Sequence, residues 1–371
     1  MLPIRGGSLI TSTRGWSLRR RMSHFVRRFV RRQQPFDLFA FFKLIVMLGA
    51  AATALFYYVT ADWPVIVEDS KYGVLSGMDA SRFVLDRMCS QVTNSCFVVF
   101  DTFDLIRNTA IRNLGTEGFD ETVDAIVRLR PPEGVQRIIE SDTRIWAVDH
   151  LWMPTSYGRV MVAAPFVTSS LELAERVNLK AKILCIGLGG GGISMFLASK
   201  FPKTHVTVVE IEPVVVLLAK RWFDVGGRDN HDVHTMNGIT YIMESEERFD
   251  AVLIDACDVD VVLPCPAAEF LDEQLIETLS KKLLTPNGTL AVNILQLQSA
   301  DKKLESVLKL FKRSFVSCIA VRMEEGNLLL ICFNHTPPTR EISLLRRRFG
   351  EVWYQLQSDD LAEITHLAFY S

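Results

Sequence analysis

The chain has no C-x-x-C pair among its seven cysteines. An odd count, with Cys185 and Cys332 inside apolar strand-like runs, argues against a disulfide framework and against a zinc cluster. Cys89 and Cys96 can pair in an oxidising lumen, but they read as two ordinary thiols. There is no internal repeat and no low-complexity tract, so repeat architectures are excluded. Acidic residues are missing from the first 36 positions, which hold nine arginines. With a formal net charge of −2 overall, the rest of the chain is therefore acidic, and little favours a nucleic-acid partner. Ordinary metal-ligand clusters are also missing. His231 and His234 have H-x-x-H spacing but lead into a strand, which turns them to opposite faces, so no metal is expected.

What is present begins with an apolar run over 38–61, in which Lys43 is the sole charge. A bilayer-spanning helix needs about twenty such residues. Lys43 near its start can snorkel, and Tyr57, Tyr58 and Trp63 lie where an aromatic belt would sit. These features predict a single-pass membrane protein held in the lipid bilayer by one amino-terminal helix. The arginine-rich leader also has the composition of a mitochondrial transit peptide, which makes the mitochondrial inner membrane one destination.

Length and apolar content allow two domains and a large core. The expected organisation is a basic arm over 1–36, a transmembrane helix over 37–61, a small β-rich domain over 62–150, a cofactor domain over 151–335 and a helical extension over 336–371. In the β-rich part, VIVED, YGVLS and FVVFDT are strand-like, while 111–140 gives no firm assignment. Strand signals then recur at 182–186, 206–209, 233–235, 251–254 and 289–294, with helices over 193–200, 213–222, 270–284 and 301–311 between them. Such alternation means a doubly wound, mainly parallel α/β sheet. Segments 316–322 and 328–333 close it as an antiparallel hairpin, whereas a nicotinamide dehydrogenase would continue with a second βαβ half.

Chemistry concentrates where these strands end. Gly187, Gly189 and Gly192 form a G-x-G-x-x-G turn, with Gly190 and Gly191 inside it. Glycines let the chain bend with positive φ and bring backbone N–H groups to a ligand at the helix start. Glu210 ends the next strand, about twenty residues on, where a carboxylate can accept bonds from both hydroxyls of a ribose. Asn237 offers an amide to an adenine edge, and Gly238 lets the base lie close. Asp255 ends the run AVLID, where it can orient an amine or accept its proton, and Asp258 follows three residues later. The same residues also read as turn formers, caps and solvated loop charges.

At SYGRVMVAAPF, ILCIGLGGGGISMFL, FPKTHVTVVEIEP, NGITYI and FDAVLIDACD the sequence resembles the spermidine synthase-like branch of class I methyltransferases. The resemblance covers about 146–333. It implies a seven-stranded Rossmann-like sheet, S-adenosyl-L-methionine as cofactor, and methyl transfer to an amine on a protein or small molecule, with a homodimer also open. It would place Gly187–Gly191 at the methionine end, Glu210 on the ribose, Asn237 and Gly238 at the adenine, and Asp255 and Asp258 at the reacting centre. Aminopropyltransferases of this fold carry D-x-x-D-P in the last loop and an acid in the glycine turn. Here both loop acids stand, Val259 replaces the proline, and the turn holds only glycines, which favours methyl transfer over polyamine synthesis. Asn237, where an aspartate is common, leaves a degenerate, non-catalytic member as the alternative.

Overall fold

Two patterns of apolar residues build two sheets. In the computed structural model the described residues are 82–356 and 366–370, apart from 105–106, 119–122, 136–140, 174–177, 259–261, 296–300 and 324–325. The strand-like pieces VIVED and YGVLS lie outside them.

The first sheet is an antiparallel meander of β1 (Arg82–Cys89), β2 (Cys96–Asp104), β3 (Thr109–Thr116), β4 (Ala125–Arg130) and β5 (Ala147–Asp149), in that spatial order. FVVFDT falls within β2 as expected, and the unassigned stretch 111–140 supplies β3 and β4. Charged residues sit inside this sheet because each has a partner. Arg112 donates from Nε and Nη2 to the two carboxylate oxygens of Asp101 at 2.9 and 3.0 Å, and both side chains are buried.

The second sheet contains β6 (Lys182–Ile186), β7 (His205–Glu210), β8 (His231–Thr235), β9 (Phe249–Ile254), β10 (Leu284–Leu295), β11 (Ser317–Arg322), β12 (Asn327–Phe333) and β13 (His366–Tyr370). Its order is β13-β11-β12-β10-β9-β6-β7-β8. Strands β8 to β10 run parallel through β7, β6 and β9, and β12, β11 and β13 are antiparallel. The predicted hairpin is therefore present as β11 and β12. Seven strands become eight, because β13 adds to β11 as an edge. The carboxyl-terminal stretch accordingly holds a strand as well as helix α7 (Ile342–Leu356).

The central strands β6 and β9 are apolar because both faces are covered, whereas the edge strand β8, HDVHT, is mostly polar and exposed. On one face pack α4 (Gly238–Glu244), α5 (Glu273–Thr278) and α6 (Asp301–Ser314), where Leu304, Val307, Leu308 and Phe311 recur at helical spacing and are buried. Toward the other face lie α1 (Ser156–Val167), α2 (Gly192–Lys200) and α3 (Pro213–Trp222). The single helix expected over 270–284 is instead a 3₁₀ turn, α5 and a π turn (Leu279–Leu283).

Period-two alternation decides which way β10 aims its side chains. Leu290, Val292 and Ile294 join the core beneath α5 and α6. Thr289 and Asn293 face the side of α1, and the Thr289 hydroxyl meets that of Thr168, which caps α1, at 2.5 Å.

The small sheet docks on α3. Arg112 Nη1 donates to the Trp222 carbonyl at 2.9 Å, where the helix ends and its dipole is negative. Asp86 accepts from Arg221 and from the Trp222 indole, each at 2.8 Å, and the Thr93 hydroxyl donates to Glu212 at 2.8 Å.

Two expectations need correction. Six of the seven cysteines form disulfides: Cys89–Cys96, Cys257–Cys265 and Cys318–Cys332. Cys89 stands opposite Cys96 in the β1–β2 register and Cys318 opposite Cys332 in the β11–β12 register, while Cys257–Cys265 closes the loop after β9. Neither an odd count nor burial in a strand prevents cross-strand pairing. The seventh, Cys185, is buried in β6, and burial pushes its thiol up to about 12, so it is inert.

The second correction concerns the membrane. Among the described residues no helix is long and apolar enough to cross one. The run over 37–61, on which the bilayer anchor, the single-pass location and the inner-membrane destination rested, lies outside the described residues, and those assignments are not retained.

Candidate active site

The strand order reverses between β6 and β9, with β7 and β8 on one side and β10 on the other. A crevice opens outside the carboxyl ends at such a point. The turn after β6 and the loop after β9 meet there. Asp255 donates its backbone N–H to Ile186 at 2.9 Å. A Cβ on Gly187 would stand 2.3 Å from the Asp255 carbonyl oxygen, and its φ of 98° is one that side-chain-bearing residues rarely adopt. Only glycine fits that crossing.

Gly189 and Gly190 pack under Ala125, at the start of β4, so the small sheet covers the outside of the turn. Gly191 is left-handed (φ 75°) and caps α2 without any side-chain hydrogen bond. The position of a Cβ on Gly192 faces open space. Backbone donors of the first helical turn are thus left for a ligand.

Glu210 ends β7 and is buried. Its Oε2 accepts from the Leu188 N–H in the glycine turn at 2.8 Å, and Oε1 from the Glu212 N–H at 2.9 Å. Burial raises its pKa, and these backbone bonds oppose the rise. An ionised carboxylate has about four lone-pair sites, so the Leu188 and Glu212 bonds, with the Ile211 N–H also near, leave acceptor capacity for a further donor. Ile211, immediately after it, is exposed.

Asn237 caps α4. Its Oδ1 accepts from Ile239 and Thr240 at 2.7 and 3.2 Å, so the oxygen is committed to the helix and the Nδ2 group is the part left for a ligand. Gly238 is buried, and a Cβ there would lie 2.9 Å from Ile186.

Asp255 accepts from Asn293 Nδ2 at 2.8 Å and from the Tyr157 hydroxyl, while Asn327 Nδ2 donates to Asn293 Oδ1 at 2.9 Å. Burial raises the Asp255 pKa, and its two donors pull the other way. Asp258 differs. It is exposed, donates its N–H to Pro264 at 2.9 Å and accepts from Ala268 N–H at 3.0 Å, bracing the loop that the Cys257–Cys265 disulfide closes.

Sequence reasoning missed Tyr157, Asn293 and Asn327. The signal for Asn293 was a lone amide inside the apolar run LAVNIL, and α1 brings Tyr157 from a hundred residues upstream. His231 is buried against the Ser194 hydroxyl at 3.0 Å, and burial pushes it down to about 4. His234 lies beside the Tyr241 ring.

Comparison with known proteins bears on this crevice. Residues 160–323 match the model of the spermine/spermidine synthase domain. This stretch is similar to that domain. The matched stretch includes most of α1, the glycine turn, Glu210 and Asp255. The chain is 30% identical over 197 residues to the mouse (Mus musculus) eEF1A lysine and N-terminal methyltransferase, covering 51% of this chain and 27% of that protein. It thus spans about a quarter of the length of the curated relatives it matches. Human methyltransferase-like protein 13, solved with S-adenosylhomocysteine, superposes with a TM-score of 0.50 at 24% identity, covering 55% of this chain and 93% of that one. A probable spermidine synthase from Corynebacterium glutamicum superposes with a TM-score of 0.53 at 15% identity, covering 71% and 85%. These two likenesses establish the fold.

Proposed function

We propose that this chain is an S-adenosylmethionine-dependent methyltransferase acting on an amine of a protein or small molecule. The observation that carries the reading is the buried carboxylate of Glu210 fixed to the backbone of the glycine turn, beside an uncapped helix start. The named activity of the mouse relative supports it.

The residues present fit the cofactor. Glu210 keeps acceptor capacity for a ribose hydroxyl, the turn Gly187–Gly191 and the first N–H groups of α2 suit the amino-acid end, and Ile211 offers apolar surface to a base. With its oxygen committed to α4, Asn237 meets adenine through Nδ2, donating to a ring nitrogen where an aspartate would accept from the exocyclic amine. Gly238 leaves room for that ring. When bound, the cofactor supplies an electrophilic sulfonium methyl.

Transfer to an amine needs an in-line lone pair and little acid–base assistance, so positioning dominates. Ionised Asp255, oriented by Tyr157 and Asn293, accepts a hydrogen bond from the incoming amine and aims its lone pair. Asp258 acts one step away, by shaping the loop that bears Asp255.

The family model and the spacing of Asp255 and Asp258 also suit an aminopropyltransferase. The absence of an acid in the glycine turn weighs against it. Supplying purified protein with S-adenosylmethionine and amine-bearing acceptors, or with its decarboxylated form and putrescine, separates the two by mass spectrometry. A 14 Da increment on an acceptor supports methyl transfer. Spermidine as the sole product contradicts it.

A further inference from the structure

The chain holds two N-x-[ST] sequons, Asn287-Gly288-Thr289 and Asn334-His335-Thr336. We propose that Asn287 carries an N-linked glycan and that the folded part matures in the oxidising lumen of the secretory pathway.

Two independent observations meet here. The first is thiol pairing. All cysteines but one are paired, and Cys89 and Cys257 are solvent-exposed, where a reducing cytosol would reach them. Forming each bridge hands two electrons and two protons to a thiol–disulfide exchange partner, which that lumen supplies. The second is the setting of the sequon. Pro286 and Asn287 are exposed near the start of β10, where the pairing with β9 shifts register between Leu284 and Thr289. This is the amino end of the strand. Four residues of extended chain, roughly 13 Å, separate Thr289 from Asn293 at the site, so a glycan there leaves the crevice open.

Asn334 provides the contrast. It is half-buried, and its Nδ2 donates to the Ser280 carbonyl and hydroxyl at 3.0 and 2.9 Å. A chain glycosylated on that nitrogen before folding would lose one of these bonds and could not enclose the glycan, so the folded molecule carries none there. The Thr289 hydroxyl is fully buried against Thr168 and Ser170. The Asn287 sequon is therefore readable only before the fold closes, on a chain entering the lumen during synthesis.

In the transfer, the Asn287 amide nitrogen attacks the anomeric carbon of an oligosaccharide linked to a lipid diphosphate. The C1–N bond forms, the C1–O bond breaks, the lipid diphosphate leaves with the electron pair, and the amide proton passes to the transferring enzyme. The proposal rests on none of the residues assigned to methyl transfer.

The test is the full chain expressed in cultured animal cells, compared with Asn287→Gln and Asn334→Gln by mobility before and after peptide N-glycosidase. Alkylation without reduction shows that each variant folds, by leaving six of seven cysteines protected. The expected result is one glycan-sized shift in wild type and Asn334→Gln, lost in Asn287→Gln. Wild type without a shift overturns the proposal, as does a shift that persists in Asn287→Gln.

Discussion

Asn293 holds Asp255 from the mouth of the neighbouring strand, 2.8 Å from its Nδ2 to the carboxylate, and is itself held by Asn327 from the next strand over. Three adjacent strands, β9, β10 and β12, thus converge on one half-buried acid. An amide chain of this kind orients the carboxylate before any acceptor arrives, and each member is satisfied by the next.

Replacing Asp255 by Asn is expected to abolish transfer and to stabilise the ligand-free protein at neutral pH. The folded-state pKa of Asp255 is raised, chiefly by burial. Its contribution to stability is fully present below the unfolded carboxylate value near 4 and is lost as pH rises through the folded value. The gain in Tm of Asp255→Asn over wild type should therefore be largest near pH 7–8 and vanish toward pH 4, as followed by thermal unfolding across that range.

Asn327→Ala should act through Asn293. Each single change, Asn293→Ala or Asn327→Ala, leaves a buried partner unsatisfied at a cost of about 1–3 kcal/mol. A double-mutant cycle on denaturant unfolding should show coupling rather than additivity. Additive effects would remove the relay from the account.

Gly187→Ala introduces a Cβ against the Asp255 carbonyl at a φ few residues tolerate. Loss of cofactor binding with destabilisation of about 3 kcal/mol or more is expected. Calorimetric titration and unfolding on the same sample check both.

Breaking the buried pair from one side, by Arg112→Met, should cost about 3–5 kcal/mol because Asp101 is left charged and enclosed. The same change frees the small sheet from the Trp222 carbonyl. Denaturant unfolding of wild type and variant measures it.

The parallel half of the sheet was legible because buried strands between glycine turns and helices leave an unambiguous pattern: β6 and α3 fall on their expected residues, and the antiparallel hairpin follows. Glu210 and Asp255 were legible for the same reason, as acids ending apolar runs. The rest depended on tertiary partners. Nothing local marks Tyr157 as reaching Asp255, or tells that the Asn237 oxygen is committed to capping α4. The disulfides were misread because pairing is set by register between strands, as with Cys318 and Cys332, and a count of thiols carries no register. β13 joins the sheet as a late edge strand, where hydrogen bonding to β11 decides its place.

The central claim is that Glu210 clamps the ribose of a sulfonium nucleoside beside the glycine turn. Calorimetric titration of S-adenosylmethionine and S-adenosylhomocysteine into wild type and Glu210→Ala tests it most directly. The account predicts binding to wild type and a loss of about 1.5–3 kcal/mol in the variant, roughly ten- to a hundredfold in Kd. Equal affinities, or no binding to either protein, would contradict it.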